Sequence, residues 1–340
     1  MLATSYLLAL LAVLLAWPVP VALSRAQWPA RSPFAAMVLW QSIALAGGLS
    51  MIGAMLVYGL SPLGDSLIGA IRRAVTIVLA NKSADELHFW HLFALSAAAL
   101  LSVHLVFTLL LTYARIVGQR RRHRELLSLL SSPSGALERT WVINHPAPVA
   151  YCLPGGSRSV TVLSDGLMET LAPEELHAVV SHEKAHLTQR HHLLLWAFEA
   201  WRSALPWLPT TRLARQAVNA LVEMLADDAA RRTVPDEVLV RAIALVAVGG
   251  GADGAAVPGT HDGEGAPVGI IPPAASRHAA PDPGLSSGAF DTDGVDIAGR
   301  LSRLLTPRPP LPPSATGAVL TASLLLIAAP TVLLFVPGLL

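Results

Sequence analysis

Four stretches of this chain are long, apolar and free of Asp, Glu, Lys and Arg: Leu2 to Leu23, Pro33 to Gly64, Leu87 to Ala114 and Gly317 to Leu340. About 20 such residues in a row suffice for a helix that crosses the hydrocarbon core of a bilayer. Inside that core no water can satisfy a peptide group, so each stretch is expected to be helical. The expected spans are residues 2–23, 34–60, 88–114 and 317–340. The second is long enough to tilt or to break near Gly47-Gly48, and Pro330 interrupts the fourth. Composition agrees: 53% of residues are hydrophobic and only 14% charged, too apolar for an ordinary soluble chain of 340 residues. A cleaved signal peptide is the rival reading of the first stretch, but no basic residues precede its apolar core, which favours a retained span.

Charge near the spans gives an expected orientation. Arg115, Arg120, Arg121, Arg122 and Arg124 follow the third span directly and should stay in the cytoplasm. Counting from there, residues 115–316 are cytoplasmic and both termini lie outside, in the plasma membrane of the cell. Arg72, Arg73 and Lys82, in the loop from Ser61 to Glu86, run against this rule. A net charge of +1 gives no footprint for direct nucleic-acid binding. The single cysteine, Cys152, excludes an internal disulfide framework and reads as a small buried hydrophobe in a reducing compartment. His88 and His91 fall near an interface, and His104, deeper in the third span, suits a hydrogen-bonded packing role.

The polar part carries Ser181-His182-Glu183-Lys184-Ala185-His186, inside a run from Pro173 to Arg190 with no internal Pro or Gly. Pro173 suits a first helical position, and Glu174 and Glu175 suit the positive helix N-terminus. On a helix His182 and His186 share a face and can hold one metal ion, and Glu183 beside them can reach a metal-bound water. H-E-x-x-H is a zinc-hydrolase signature for that reason. The competing reading is a solvated helix face in a chain with twelve histidines.

Trp141 to Ile143, Val149 to Leu153 and Ser159 to Leu163 read as short strands. The last two, joined by a Pro154-Gly155-Gly156 turn, should pair antiparallel. Such a sheet beside a metal-binding helix can hold an extended peptide at its edge, or simply cap the helix core. A helix continuing to Leu195, then an apolar segment with Trp196, Trp201 and Trp207, is expected to be buried or to hug the membrane. Arg212 to Arg232 forms a second helix. A catalytic zinc wants three protein ligands and an open position, and Glu223 is the natural third. Asp227, one turn on, is placed to receive the outer N–H of a ligand histidine. The alternative for these acids is a solvated face or ion pairs with Arg231 and Arg232. His192 has the spacing of a metzincin third histidine, but Gln189 stands where that turn needs Gly, and on an unbroken helix His192 points away from the metal. From 251 to 316 the composition turns to Gly, Pro, Ala, Asp and Ser, which reads as a largely disordered linker. Within it, Val295 to Leu305 could be an amphipathic helix carrying Arg300 and Arg303 towards the membrane, or a mere connector.

Together, Leu153-Pro154-Gly155, Ser164-Asp165-Gly166-Leu167, Pro173-Glu174-Glu175-Leu176, His182-Glu183-Lys184-Ala185-His186 and Glu223 to Asp228 resemble the BlaR/MecR-type integral membrane metallopeptidases, and more distantly the HtpX and CAAX-processing proteases. The resemblance implies a mainly α membrane protein: three spans over 1–114, a cytoplasmic α+β gluzincin-type protease domain over 115–250, a linker, and a fourth span. It implies one Zn2+ per chain on His182, His186 and Glu223, Glu183 as the base, and a cytoplasmic repressor as the protein cleaved on an outside signal. The β-lactam receptors add a penicillin-binding domain after the fourth span. No Ser-x-x-Lys site follows the last helix in this sequence, so β-lactam sensing is not expected of it. Two other readings stay open: a housekeeping membrane protease, and a non-catalytic transducer with a structural metal. The second gives no reason for Glu183.

Overall fold

The structure is a computed structural model, and it describes residues 1–81, 83, 86–133, 140–153, 159–251 and 297–335. The chain divides into two compact units. The first holds Met1–Ala114, Leu195–Val222 and Arg308–Leu340; the second holds Arg115–Leu194 and Glu223–Pro307.

The first unit begins with α1 (Leu2–Ala16) and α2 (Pro18–Ser24). Trp17 separates them at φ −138°, ψ −71°, because the residue before a proline is forced out of helical geometry. Next come α3 (Pro33–Leu60), α4 (Leu67–Leu79) and α5 (Phe89–Leu130). α1 packs on α3, and Leu8, Ala54, Val57 and Leu60 form part of their shared core. The possible break at Gly47-Gly48 is absent: α3 is continuous from Pro33 to Leu60. α5 also runs on through the arginines after Ala114, because Arg, Glu and Leu all favour the helix. His104 Nε2 lies 3.0 Å from the Ala204 carbonyl, a packing contact.

The second unit contains β1 (Ser131–Pro133), β2 (Thr140–Ile143), β3 (Ala150–Leu153) and β4 (Val160–Ser164), ordered β1-β2-β4-β3. β3 runs antiparallel to β4 with Tyr151 opposite Val162, as the spacing suggests, while β2 is parallel to β4. The turn at 154–156 lies outside the described residues. Then follow α6 (Asp165–Thr170), α7 (Pro173–Thr188), α8 (His191–Ala204), α9 (Pro209–Ala230) and α10 (Asp236–Gly251). Ser164 caps α6, its Oγ accepting from the Leu167 N–H at 3.1 Å. α7 packs on β3, β4 and α10, with Ala178, Val179 and Val180 in the core beside Leu163, Leu239 and Ile243.

Two expectations need correction. The metal-binding helix does not continue to Leu195: it ends at Thr188, and Arg190 takes φ 53° before α8 starts. The left-handed conformation costs an arginine about 1–2 kcal/mol, so the turn is held by what it positions, described below. Nor does the last apolar helix wait for Gly317, and of the two readings of Val295 to Leu305 the helix is the one observed. α11 (Ile297–Leu305) is a docked helix with Leu304 in the core, and α12 (Pro313–Phe335) begins before Gly317. Residues 252–296 lie outside the described residues.

Among the described residues, four helical segments are long and apolar enough to cross a membrane: Leu2–Ser24, Pro33–Leu63, Phe89–Leu127 and Pro313–Phe335. Large apolar side chains such as Leu10, Val103, Phe107 and Leu324 lie exposed on them, as lipid-facing residues would.

Gly166, at the start of α6, shows the tightest close approach: a Cβ there would stand 1.9 Å from the Pro146 carbonyl oxygen, a backbone atom. Gly166→Ala is therefore expected to lower stability by about 3 kcal/mol, the upper end for overpacking, read as a drop in melting temperature of the purified protein.

Candidate metal centre

His182 and His186 stand one turn apart on α7 with their Nε2 atoms 3.1 Å from each other. Glu223 of α9 brings Oε2 to 3.3 Å from His182 Nε2 and Oε1 to 3.5 Å from His186 Nε2. One ligand atom from each of the three lies within 4.8 Å of the other two. An ion held tetrahedrally at 2.0–2.1 Å puts its ligands about 3.3–3.4 Å apart, so this triangle fits zinc without rearrangement. The donor set, two imidazoles and one carboxylate, is also one that zinc takes in catalytic sites. His182 is 1% exposed and His186 8%, whereas Glu223 keeps 12% of its side chain accessible, marking the open side of the site.

Each imidazole is fixed from behind. His182 Nδ1 is 2.9 Å from Asp227 Oδ1, so Nδ1–H donates to the carboxylate and Nε2 faces the site. His186 is held by a residue that sequence reasoning passed over. His191 Nε2–H donates to Gln189 Oε1 at 3.0 Å, which leaves His191 Nδ1 as an acceptor. That nitrogen lies 3.1 Å from His186 Nδ1, which must then carry a proton, freeing His186 Nε2 as a ligand. The left-handed turn at Arg190 places His191 there, buried at 1% exposure. His192, the rival third ligand, does not join the cluster.

Behind the carboxylates lies Arg300 of α11, 2% exposed. It forks onto Asp227, Nε to Oδ2 at 2.9 Å and Nη2 to Oδ1 at 2.7 Å, and its Nη1 is 3.1 Å from Glu223 Oε2. Arg303 pairs with Asp228 at 2.8 Å. The suggested delivery of both arginines to the membrane is thus overturned: buried Asp227 draws Arg300 inward, and half-buried Asp228 holds Arg303. Arg231 pairs most closely with Asp236, at 2.6 Å, and also stands 3.9 Å from Asp228 of the acidic face.

The electrostatics follow. Burial pulls His182 down, but its hydrogen bonds to Asp227 and Glu223 and their charges outweigh this and raise it to about 9. Burial carries His186 down to about 3 and His191 to about 4. Burial would raise Asp227, yet His182 and Arg300 hold it well below the usual carboxylate range, and Glu223 is lowered likewise by His182 and His186. Metal and proton therefore compete for His182 Nε2. Glu183, between the histidines, is fully buried. Its charge adds to burial in raising the Cys152 thiol of β3 to about 12, so Cys152 is inert.

A two-histidine helix completed by a carboxylate from a later helix defines the gluzincin class of metallopeptidase sites. Residues 118–247 match the sequence model of peptidase family M48, a family of zinc-dependent metallopeptidases. No curated protein and no solved structure matches the chain.

Two substitutions test the supports. His191→Phe should weaken zinc binding about 10–100-fold in competition with a chelating dye, His191→Asn should retain most of it, and His192→Phe should leave it unchanged. Arg300→Met strands Asp227 without its cation and should cost about 3–5 kcal/mol, read by thermal unfolding and partly recovered when Asp227→Asn is added.

Proposed function

We propose that this protein is a membrane-embedded zinc metalloendopeptidase that cuts a cytoplasmic or membrane protein in regulated proteolysis, on the BlaR/MecR pattern. The observation that carries the reading is the buried His182, His186 and Glu223 triangle with Glu183 on the same helix turn. When bound, zinc would lower the pKa of a water molecule and polarise the scissile carbonyl. Glu183 takes a proton from the attacking water on its carboxylate and delivers it to the nitrogen of the leaving amine. Asp227 and His191 keep the two imidazoles in the ligating tautomer throughout. β3 supports a place for the substrate: among the described residues only β4 pairs with it, so its outer edge can take an extended peptide by strand addition. α7, the helix bearing Glu183, packs directly on this strand.

The basic run after the third span supports a cytoplasmic protease domain. A transcriptional repressor, released from DNA by cleavage, is the proposed partner. Comparative proteomics of cells making the active protein or its Glu183→Gln form would identify it.

Glu183→Gln should keep one zinc per chain by elemental analysis while slowing cleavage by about 10²–10⁴-fold. Glu223→Ala should lose the metal as well as the activity. Chelation should stop the wild-type enzyme, and added zinc should restore it. Undiminished cleavage by Glu183→Gln would remove the assigned base.

A further inference from the structure

α4 (Leu67–Leu79) follows a candidate span and is itself none: its 13 residues reach about 20 Å, short of a bilayer core of about 30 Å. It is nevertheless a discrete helix with both ends closed. Ser66 Oγ accepts from the Gly69 N–H at 3.2 Å, and Asn81 ends the helix at φ 47°.

Around its axis α4 shows three arcs. Leu67, Ala70, Ala74 and Ile77 pack against their own unit, in the core with Leu8 and Leu63. Next to them, on a continuous apolar surface, Ile68, Ile71, Val75, Val78 and Leu79 lie exposed, the last two at 77% and 82%. The remaining arc is polar, with Arg72, Thr76 and Arg73. The protein covers only about half of the helix's apolar circumference, although a water-facing helix would confine that surface to the packed side.

We propose that α4 lies in the plane of the bilayer interface, with Ile68, Ile71, Val75, Val78 and Leu79 in the acyl chains and Arg72 and Arg73 at the lipid phosphates. The proposal rests on the membrane reading of the four apolar helices. The occupant is phospholipid for two reasons. α3 and α5, which flank α4 in the chain, are both candidate spans, so α4 is tied to the membrane surface at each end. Exposed Phe89 and Trp90 at the start of α5 are the aromatic residues that favour this depth. Charge fits as well: the arginines border the apolar arc, as in interfacial helices whose cations meet phosphate. Arg73 also pairs with Glu86 at 2.8 Å, both half exposed, which leaves it within reach of a headgroup. Arginines that oppose an orientation rule based on loops in water are then accounted for as interfacial anchors.

The test uses the full chain in phosphatidylcholine–phosphatidylglycerol nanodiscs, where both faces are open to reagent. V75C and V78C probe the lipid arc, T76C the polar arc, and L324C the middle of α12; Cys152 is buried and silent. With a charged thiol reagent, V75C and V78C should react about tenfold or more slowly than T76C, and L324C should be protected too. Nitroxides at positions 75 and 78 should collide more with oxygen than with a nickel chelate. Equal labelling of V75C, V78C and T76C beside a protected L324C would overturn the interfacial helix and leave the membrane reading standing. Labelling of L324C as fast as T76C would overturn both. Protection of V75C and V78C that vanishes on diluting the protein in lipid would assign the face to a second copy and also overturn the proposal.

Discussion

Two carboxylates taken out of water at one spot govern the centre. Glu223 and Asp227 lie one turn apart on α9, and removing each from solvent costs several kcal/mol unless cations and hydrogen bonds answer it. His182 answers both from α7, and Arg300 answers both from α11. Three helices are thereby tied at one charge cluster, two from within the matched family domain and one from beyond it. Loss of either cation would leave a buried charge without compensation, a larger penalty than any one hydrogen bond there supplies.

This constraint explains why α7 has so little amphipathic character. One side of it fills the core with Ala178, Val179 and Val180; another presents His182, Glu183 and His186, all buried. A helix buried on several sides cannot follow a simple polar-out pattern. Its N-terminal support is local and polar instead: the Ala172 N–H donates to Glu175 at 2.9 Å, and Pro173 begins the first turn.

What the sequence discloses about such a site depends on how far a contact lies from helical geometry. His182 and His186 were legible because four-residue spacing on a helix is already a distance, and Glu223 with Asp227 for the same reason. The long apolar helices were legible because a run that could cross a bilayer has few alternatives to a helix. His191 was not. Its position requires a left-handed arginine, which propensity argues against, and an unbroken helix would not bring it behind His186. Arg300 was less legible still, 73 residues from Asp227 and embedded in a stretch whose composition suggests a linker. A signal did exist: a buried acid pair with only histidine in reach demands a cation from somewhere. α4 was hidden for a different cause, since its arginines were weighed as loop charges and not as one arc of a helix.

The same geometry bears on whether the metal would be catalytic or structural. A structural zinc is closed by four protein ligands, and a catalytic one keeps a position open. Here three side chains converge, His191 is committed behind His186, and His192 stays out of the cluster. Glu223, the most accessible of the three, marks the side from which a substrate would approach. A structural ion would also gain nothing from Glu183, whose carboxylate is buried beside the ligands at a desolvation cost and is not among the residues that hold the metal. A charge placed there has a physical purpose if it is to accept a proton, and that supports hydrolysis over a purely structural role for the ion.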